Sequence, residues 1–155
     1  MRAQDIIADL TQYASDGLIR NFLSMPEDRR DWKAVPESRS ALNQIWECGL
    51  VNERFAQFLS GQSAEPLSFQ MLGELWGSES SDSAEALVDK LKSATTHLCE
   101  AMRALTDEQL EEMIQLNPEA KLPTKMVMWM GLRNMWYHTG QVAFIQTLYG
   151  DGEMH

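Results

Sequence analysis

The 155-residue sequence lacks the features that suit a chain to nucleic acids, membranes or secretion. It carries 13 Lys and Arg against 23 Asp and Glu, a formal net charge of -10. Nucleic acids and anionic membrane surfaces bind clustered basic side chains, so neither is expected as a partner. No apolar run approaches the roughly 18 residues needed to span a bilayer. The opening stretch, MRAQDIIADL, contains acids and lacks a signal-peptide core, so we expect a cytoplasmic protein.

Cysteine and histidine are also scarce, with two and three residues respectively. Cys48 and Cys99 lie far apart in helical patterns and are predicted to be buried free thiols. The sequence contains no CxxC, no HExxH and no glycine-rich phosphate loop. His97 falls one step off the apolar stripe of its helix, and His155 belongs to a polar tail. His138 is therefore the better candidate for a functional site.

Helical periodicity is the main positive signal in the sequence. The length suits one domain, residues 1–150, followed by a polar tail at 151–155. Apolar residues recur every three or four positions in four long segments. The predicted long helices are Ala3–Ser24, Ser40–Leu59, Ala84–Leu105 and Val127–Gly150, with Pro123 opening the last of them.

The connections between these helices contain no pattern that predicts a strand. Residues 61–82 are predicted as a loop with one helical turn, and residues 117–122 as a loop. Thr106 and Gln109 form a capping-box pattern that opens a short helix reaching Gln115. The expected fold class is all-α, and the simplest closed arrangement is an up-and-down four-helix bundle.

The last helix is apolar on almost every turn, which indicates burial among neighbouring helices. Its polar residues Asn134, His138 and Gln141 are predicted to share one side of the helix. Buried polar groups need partners, so these three residues mark the predicted functional region. The apolar residues predicted on that side are Val127, Met130, Ile145 and Leu148, and those on the opposite side are Trp129, Leu132 and Trp136.

The segment RNMWYHTGQVAFIQTLYGDGE resembles the last helix of the DinB/YfiT-like superfamily. In that family a His-x-x-x-His pair is followed closely by Gly-Gln and an apolar run ending at Gly. The stretches DWKAVPESRSALNQIWE and LTDEQLEEMI resemble earlier parts of the family pattern, in the same order. The resemblance implies a four-helix bundle that holds a divalent metal, nickel or zinc, through three histidines. The resemblance also implies that the chain forms homodimers. Members of that family include S-transferases that use low-molecular-weight thiols and a maleylpyruvate isomerase.

Matching the family pattern residue by residue leaves one histidine of the three. His138 takes the second position of the last-helix pair, Asn134 takes the first, and Glu47 takes the position on the second helix. Glutamate can ligate a divalent ion through oxygen, whereas asparagine is a weak neutral ligand. The implied metal set of Glu47, Asn134 and His138 would therefore hold zinc or nickel less tightly than three imidazoles.

Three interpretations of this region remain open. The first is an internal hydrogen-bond network in which Glu47 accepts from His138, completed by Asn134 and Gln141. The second is a weak metal site with an activated water. The third is a metal-free pocket for a small ligand, lined by Tyr137 or Tyr149, with Glu47 and His138 as an acid–base pair.

The predicted function is that of a DinB-like protein with a polar pocket between the second and fourth helices. Transfer of a small thiol or hydrolysis of a small molecule is the enzymatic hypothesis. The alternative is a non-catalytic ligand-binding or interaction protein that acts as a dimer. Cys48 is not expected to be a nucleophile, because the neighbouring Glu47 carboxylate raises a thiol pKa.

Overall fold

The computed structural model describes residues 2–62, 67–78 and 80–155 of the chain. Within these ranges two strands, β1 (Met113–Asn117) and β2 (Ala120–Pro123), form an antiparallel hairpin. None of the described helices is long and apolar enough to cross a membrane. The helices are α1 (Ala3–Ser24), α2 (Ala41–Leu59), α3 (Phe69–Gly77), α4 (Ala84–Ala104), α5 (Thr124–Met128) and α6 (Met130–Leu148).

Serine N-caps begin three of these helices. The hydroxyls of Ser40, Ser68 and Ser83 each accept a hydrogen bond from a backbone N–H three residues later, at 3.1–3.2 Å. Such a bond satisfies one of the N–H groups that the first turn leaves without a partner. The starts of α2, α3 and α4 are therefore encoded locally.

The directions of α1, α2 and α4 follow from their side-chain contacts. Gln4 at the start of α1 donates to Asp107, just past the end of α4, at 2.8 Å. Thr95, midway along α4, donates to Ser15 in α1 at 3.1 Å, so α1 and α4 are antiparallel. Asn52 in α2 donates to the same Thr95 at 3.0 Å. Gly49, one turn earlier in α2, faces Leu91, so α2 and α4 are parallel.

The direction of α6 completes the arrangement. Gln146 near the end of α6 donates to Ser24 at the end of α1, at 3.0 Å, so these helices run the same way. The long helices therefore run up, down, down and up, which differs from the up-and-down order predicted. The physical reason is the connection at residues 60–83, which is long enough to return the chain to the end where α2 began.

A small residue allows α6 to approach α2 and α4 closely. A Cβ added at Gly131 would lie 2.6 Å from a methyl of Leu98 and 2.8 Å from the amide oxygen of Asn52. Asn52 and Thr95 are fully buried, and their hydrogen bonds join α2, α4 and α1 across the core. The centre of the core is thus a polar layer between two apolar clusters.

The segment between α4 and α5 differs from the prediction. The Thr106–Gln109 capping box forms, with both of its hydrogen bonds present, but it opens only a 3-10 turn, Glu108–Glu111. The predicted helix to Gln115 and the loop at 117–122 are replaced by the β1–β2 hairpin. The alternating residues Ile114, Leu116 and Leu122 pack on the second apolar cluster. Their period of two suits a strand, and the segment was too short for sequence periodicity to distinguish.

Two other elements differ as well. Within the predicted loop 61–82 the structure has the nine-residue helix α3, while residues 63–66 and 79 lie outside the described residues. The predicted long last helix is interrupted at Trp129, which separates α5 from α6. The helix Ala3–Ser24 is confirmed residue for residue, and α2 and α4 are confirmed within one residue.

The buried face of α6 is rotated from the one predicted. Its buried residues include Leu132, which was assigned to the opposite side, whereas Leu148 is exposed. Asn134 and Gln141 are half-buried at the edges of the face, and His138 lies at its centre. Because this helix is apolar nearly all round, periodicity could not select the face, and packing against α1 and α2 did.

Candidate ligand pocket and buried ion cluster

His138 lies inside the interface of α2 and α6 with 1% of its surface exposed. Its Nδ1–H donates to the side-chain oxygens of Gln44 at 3.0 Å and Gln141 at 2.9 Å. Two carbonyl acceptors at Nδ1 place a proton on that nitrogen. The other ring nitrogen, Nε2, faces Glu47, which lies one turn after Gln44 on α2.

Glu47 contacts two side chains at this interface, the cationic Arg39 and the imidazole of His138. His138 Nε2 lies 3.3 Å from Glu47 Oε1, and the guanidinium of Arg39 is paired with Oε2. His138 Nε2 is within ion-pair distance but makes no aligned hydrogen bond with the described protein atoms, so we treat the contact as electrostatic. We call Arg39, Glu47 and His138 the buried ion cluster.

The cluster sets the charge of Glu47. Burial raises the pKa of this carboxyl, but the contacts with His138 and Arg39 outweigh burial and hold the pKa below its usual range. Glu47 is therefore an ionised carboxylate with a bound counter-charge. A carboxylate in that state is a weak proton acceptor.

Cys48 and Asn134 form a second contact beside the cluster. The Asn134 side-chain N–H donates to Cys48 Sγ at 3.6 Å. Burial raises the pKa of the Cys48 thiol well above its usual value, and the Glu47 charge adds to that effect. The thiol is thus unsuited to nucleophilic attack, and its pKa is raised, as the sequence predicts. Cys48 and Cys99 are both buried free cysteines, as predicted.

A cavity of about 460 Å³ opens beside these groups, between α2 and α6. Glu47, Asn134 and Tyr137 contribute to its lining, whereas His138 and Gln141 do not. Tyr149 is placed elsewhere, with its ring packed edge-on against Trp32 at 6.4 Å between centroids. The apolar part of the wall includes Val51 and Phe55 of α2, Leu72 of α3, Leu116 and Leu122 of the hairpin, and Met130 of α6.

Sequence reasoning missed two residues that contact His138 or Glu47. Gln44 lies one turn before Glu47 on α2, and that spacing would have shown that both side chains share a face. Arg39 lies in the irregular segment before α2, where no periodicity indicates which way a side chain points. Its contact with Glu47 could not have been found from the pattern of the sequence alone.

Comparison with known families and structures identifies the fold. The profile of the DinB superfamily matches residues 10–142. The chain belongs to the DinB superfamily. Comparison with curated protein sequences finds no significant match. The family assignment therefore rests on the profile and on the structures that share this fold.

Solved structures of the DinB fold superpose over nearly the whole chain. A conserved protein from Enterococcus faecalis is similar with a TM-score of 0.77 at 12% identity, over 96% of this chain and 97% of that one. A DinB-like protein from Bacillus subtilis gives 0.71 at 19% identity, over 96% and 95%. A mycothiol-dependent maleylpyruvate isomerase gives 0.69 at 13% identity over 91% of this chain, which spans 61% of that protein. At these identities the similarity shows a shared fold.

The DinB resemblance implied nickel or zinc at Glu47, Asn134 and His138, and the side chains here do not fit such an ion. Protein zinc sites use three or four strong ligands. This position offers one carboxylate and one imidazole, since the Asn134 amide is neutral and turned toward Cys48. The Arg39 guanidinium already supplies a positive charge to the same carboxylate. Among the described residues no three His, Cys, Asp or Glu side chains are grouped to hold a metal ion.

Proposed function

We propose that this DinB-superfamily chain binds a small molecule in the cavity between α2 and α6, and does so without a divalent ion. The observation that carries the proposal is the pairing of Arg39 with Glu47 at the edge of the cavity. The Arg39 guanidinium balances the negative charge of the buried carboxylate. In a metal site a bound cation would balance that charge. The cavity volume of about 460 Å³ lies within the range of small-ligand sites.

The side chains around the cavity favour binding over catalysis. Glu47 is held ionised by its partners and is a poor base, because its pKa is lowered. His138 is 1% exposed and does not line the cavity, so its ring is poorly placed to act on a ligand there. The Cys48 thiol is buried with a raised pKa. What the site offers a ligand is an apolar wall with a few polar groups, a usual arrangement for a binding pocket.

The proposal can be tested with phenylnaphthylamine, an uncharged dye whose fluorescence rises in apolar pockets. Val51 lines the cavity, so a Val51→Trp substitution should fill it and abolish saturable dye binding. The matched control is Val35→Trp, at an exposed position outside the cavity lining, which should bind as the unaltered protein does. Equal binding by the Val51→Trp and unaltered proteins would show that the cavity is not the ligand site.

A metal-dependent thiol transferase is the second candidate function. One observation favours it: Glu47 Oε1 and His138 Nε2 face each other at 3.3 Å without an aligned hydrogen bond. The structural similarity to a mycothiol-dependent isomerase adds support. Elemental analysis by mass spectrometry separates the candidates. About one equivalent of nickel or zinc in the purified, unaltered protein would favour the metal-dependent thiol transferase and contradict the metal-free proposal.

The same analysis on two variants tests the role of Arg39. The metal-free proposal expects Asn134→His alone to remain without metal, because the guanidinium still occupies Glu47. The double variant Arg39→Gln with Asn134→His frees the carboxylate and supplies a second imidazole, so it should gain metal. Equal metal content in the single and double variants would contradict the role assigned to Arg39.

We also propose that the chain acts as a homodimer. Exposed aromatic side chains support this, with Tyr13 of α1 at 68% and Phe144 of α6 at 63% exposure. Large exposed apolar groups often mark association surfaces. Light scattering after size exclusion should give twice the mass of one chain, and a mass of one chain at micromolar concentration would contradict the proposal.

A further inference from the structure

The side of α1 that borders α6 carries apolar residues exposed to solvent. Ser24 accepts a hydrogen bond from Gln146 at 3.0 Å, which marks the side of α1 that faces α6. At about 100° per residue, three earlier residues of α1 lie within about 20° of that position: Ile6, Tyr13 and Gly17. Ile6 is 43% exposed and Tyr13 is 68% exposed. These residues form a stripe along the outer edge of the α1–α6 contact.

Helix α6 has a matching exposed side that carries little charge. Its 19 residues include one Asp, Glu, Lys or Arg side chain, Arg133, which lines the cavity toward α2. Trp136 is 50% exposed and Phe144 is 63% exposed. Charged residues are depleted and aromatic residues enriched at the centres of association surfaces. The outer side of α6 therefore has the composition of an interface.

The aromatic rings of the two helices lie at one level. Because α1 and α6 run in the same direction, positions along them can be counted from the contact between Ser24 and Gln146. Tyr13 and Trp136 lie about 15–17 Å before that contact, at 1.5 Å per residue. Their exposed rings thus form a ridge across both helices.

Two glycines lie side by side one turn farther along the helices. Gly17 and Gly140 are both about 9–10 Å before the same contact. A Cβ added at Gly140 would meet no packed neighbour within 4 Å, and one at Gly17 would meet only the Arg20 guanidinium, at 3.9 Å. The absence of side chains at this level leaves a hollow next to the ridge. We call the surface formed by these residues the α1–α6 face: Ile6, Tyr13 and Gly17 of α1 with Trp136, Gly140 and Phe144 of α6.

We infer that the α1–α6 face binds the same face of a second copy of this chain, with the ridge of each copy in the hollow of the other. A ridge beside a hollow is self-complementary, because a two-fold axis between them brings each ridge onto the opposite hollow. Arg20, at the edge of the hollow, would then lie against the ring of Tyr13 from the second copy, a favourable cation–π contact. The inference rests on the homodimer proposed above, since it names the surface that forms it.

The size of the face suits a dimer. Two neighbouring helices about 30 Å long and about 10 Å apart present roughly 600 Å² in projection. Protruding side chains make the accessible surface larger than its projection. The face therefore approaches the roughly 800 Å² that each partner buries in a stable complex.

Dimer dissociation constants, measured by sedimentation at several dilutions, test this inference. Gly17→Leu fills the hollow without changing charge, so it should weaken dimerisation at least about tenfold, because each dimer carries the change twice. Gly17→Ala is the matched control. Its methyl group leaves most of the hollow open, so the dissociation constant should change less than about threefold. Association through an unspecific apolar patch would instead be as strong with leucine as with glycine.

A second variant removes the ridge. Tyr13→Ala should also weaken dimerisation at least about tenfold, since aromatic side chains dominate the binding energy of most interfaces. Its control is Met113→Ala on β1, a residue 50% exposed and outside the face, which should leave the dissociation constant unchanged. Circular dichroism checks that each variant is folded. Tyr13 is 68% exposed, so Tyr13→Ala decides the question if Gly17→Leu does not fold.

The outcomes separate this inference from the homodimer proposal. An unaltered protein that remains a monomer would contradict the homodimer itself. A dimer whose dissociation constant is changed by neither Gly17→Leu nor Tyr13→Ala would overturn only the α1–α6 face. An effect of Tyr13→Ala with none from a folded Gly17→Leu would also overturn the inference, because the ring would then not occupy the hollow.

Discussion

Replacing Glu47 with alanine tests the buried ion cluster most directly. The substitution removes the counter-charge of Arg39, whose side chain is 34% exposed, and the carboxylate that lies against the ring of His138, whose side chain is 2% exposed. Breaking a fully buried ion pair costs about 3–5 kcal/mol, because the remaining charge stays buried without compensation. Water reaches Arg39, so we expect a smaller loss here, about 2–3 kcal/mol in the free energy of unfolding.

Thermal and urea unfolding measure this loss. For a chain of this length each kcal/mol lowers the melting temperature by about 2–4 °C, so Glu47→Ala should melt about 4–12 °C lower. The matched control is Glu53→Ala on the same helix. Glu53 is 45% exposed and lies 3.1 Å from His97, whose side chain is 55% exposed. Its removal should cost less than about 1 kcal/mol. Equal stability of the Glu47→Ala and unaltered proteins would refute the cluster as a stabilising element.

The pH dependence of a second variant, Glu47→Gln, has a definite sign. The folded-state pKa of Glu47 is lowered, so the carboxylate stabilises the fold above its unfolded-state pKa of about 4.3. That contribution is lost as pH falls through the lower folded-state value. The difference in unfolding free energy between unaltered protein and Glu47→Gln should therefore be constant near neutral pH and narrow below about pH 4. A difference that grows on acidification would contradict the assigned charge.

Three further predictions concern the core. Gly131→Ala should cost about 1–3 kcal/mol by thermal unfolding, because its Cβ would lie 2.6 Å from a leucine methyl of α4. A Cβ added at Gly140, on the same helix, would meet no packed neighbour within 4 Å. Gly140→Ala should therefore stabilise the protein by about 0.5–1 kcal/mol. Thr95→Val should cost about 1–3 kcal/mol because it removes a buried acceptor and donor, whereas the exposed Thr96→Val should stay within about 0.5 kcal/mol. Cys48 should react with a thiol reagent only at the rate of unfolding, and rapid labelling of the native protein would contradict its burial.

Helices with clear local signals were predictable from the sequence. Pro26 follows the end of α1, Ser83 caps α4, and Gly61 takes a positive φ of 68° at the end of α2. Each signal acts within one or two turns and needs no tertiary contact. The hairpin was missed because a run of five residues such as β1 is too short to separate a period of two from 3.6.

The candidate site was predictable only in part, and through resemblance more than periodicity. The resemblance named Glu47, Asn134 and His138, and the structure places all three along the interface of α2 and α6. Whether they act as ligands or as a hydrogen-bonded core group depended on which side chains surround them. Gln44 and Gln141 hold one ring nitrogen of His138, and that detail required the packed helices.

The sequence by itself determined α1, α2 and α4 and the burial of the two cysteines, because those features follow from local periodicity and side-chain chemistry. Tertiary structure alone decided the direction of α4 relative to α2, since a long connection can return the chain to either end of the bundle. It also decided the charge balance at Glu47. Arg39 reaches that carboxylate only after the irregular segment before α2 has folded against the bundle. A contact between an irregular segment and a helix leaves no periodic trace in a sequence.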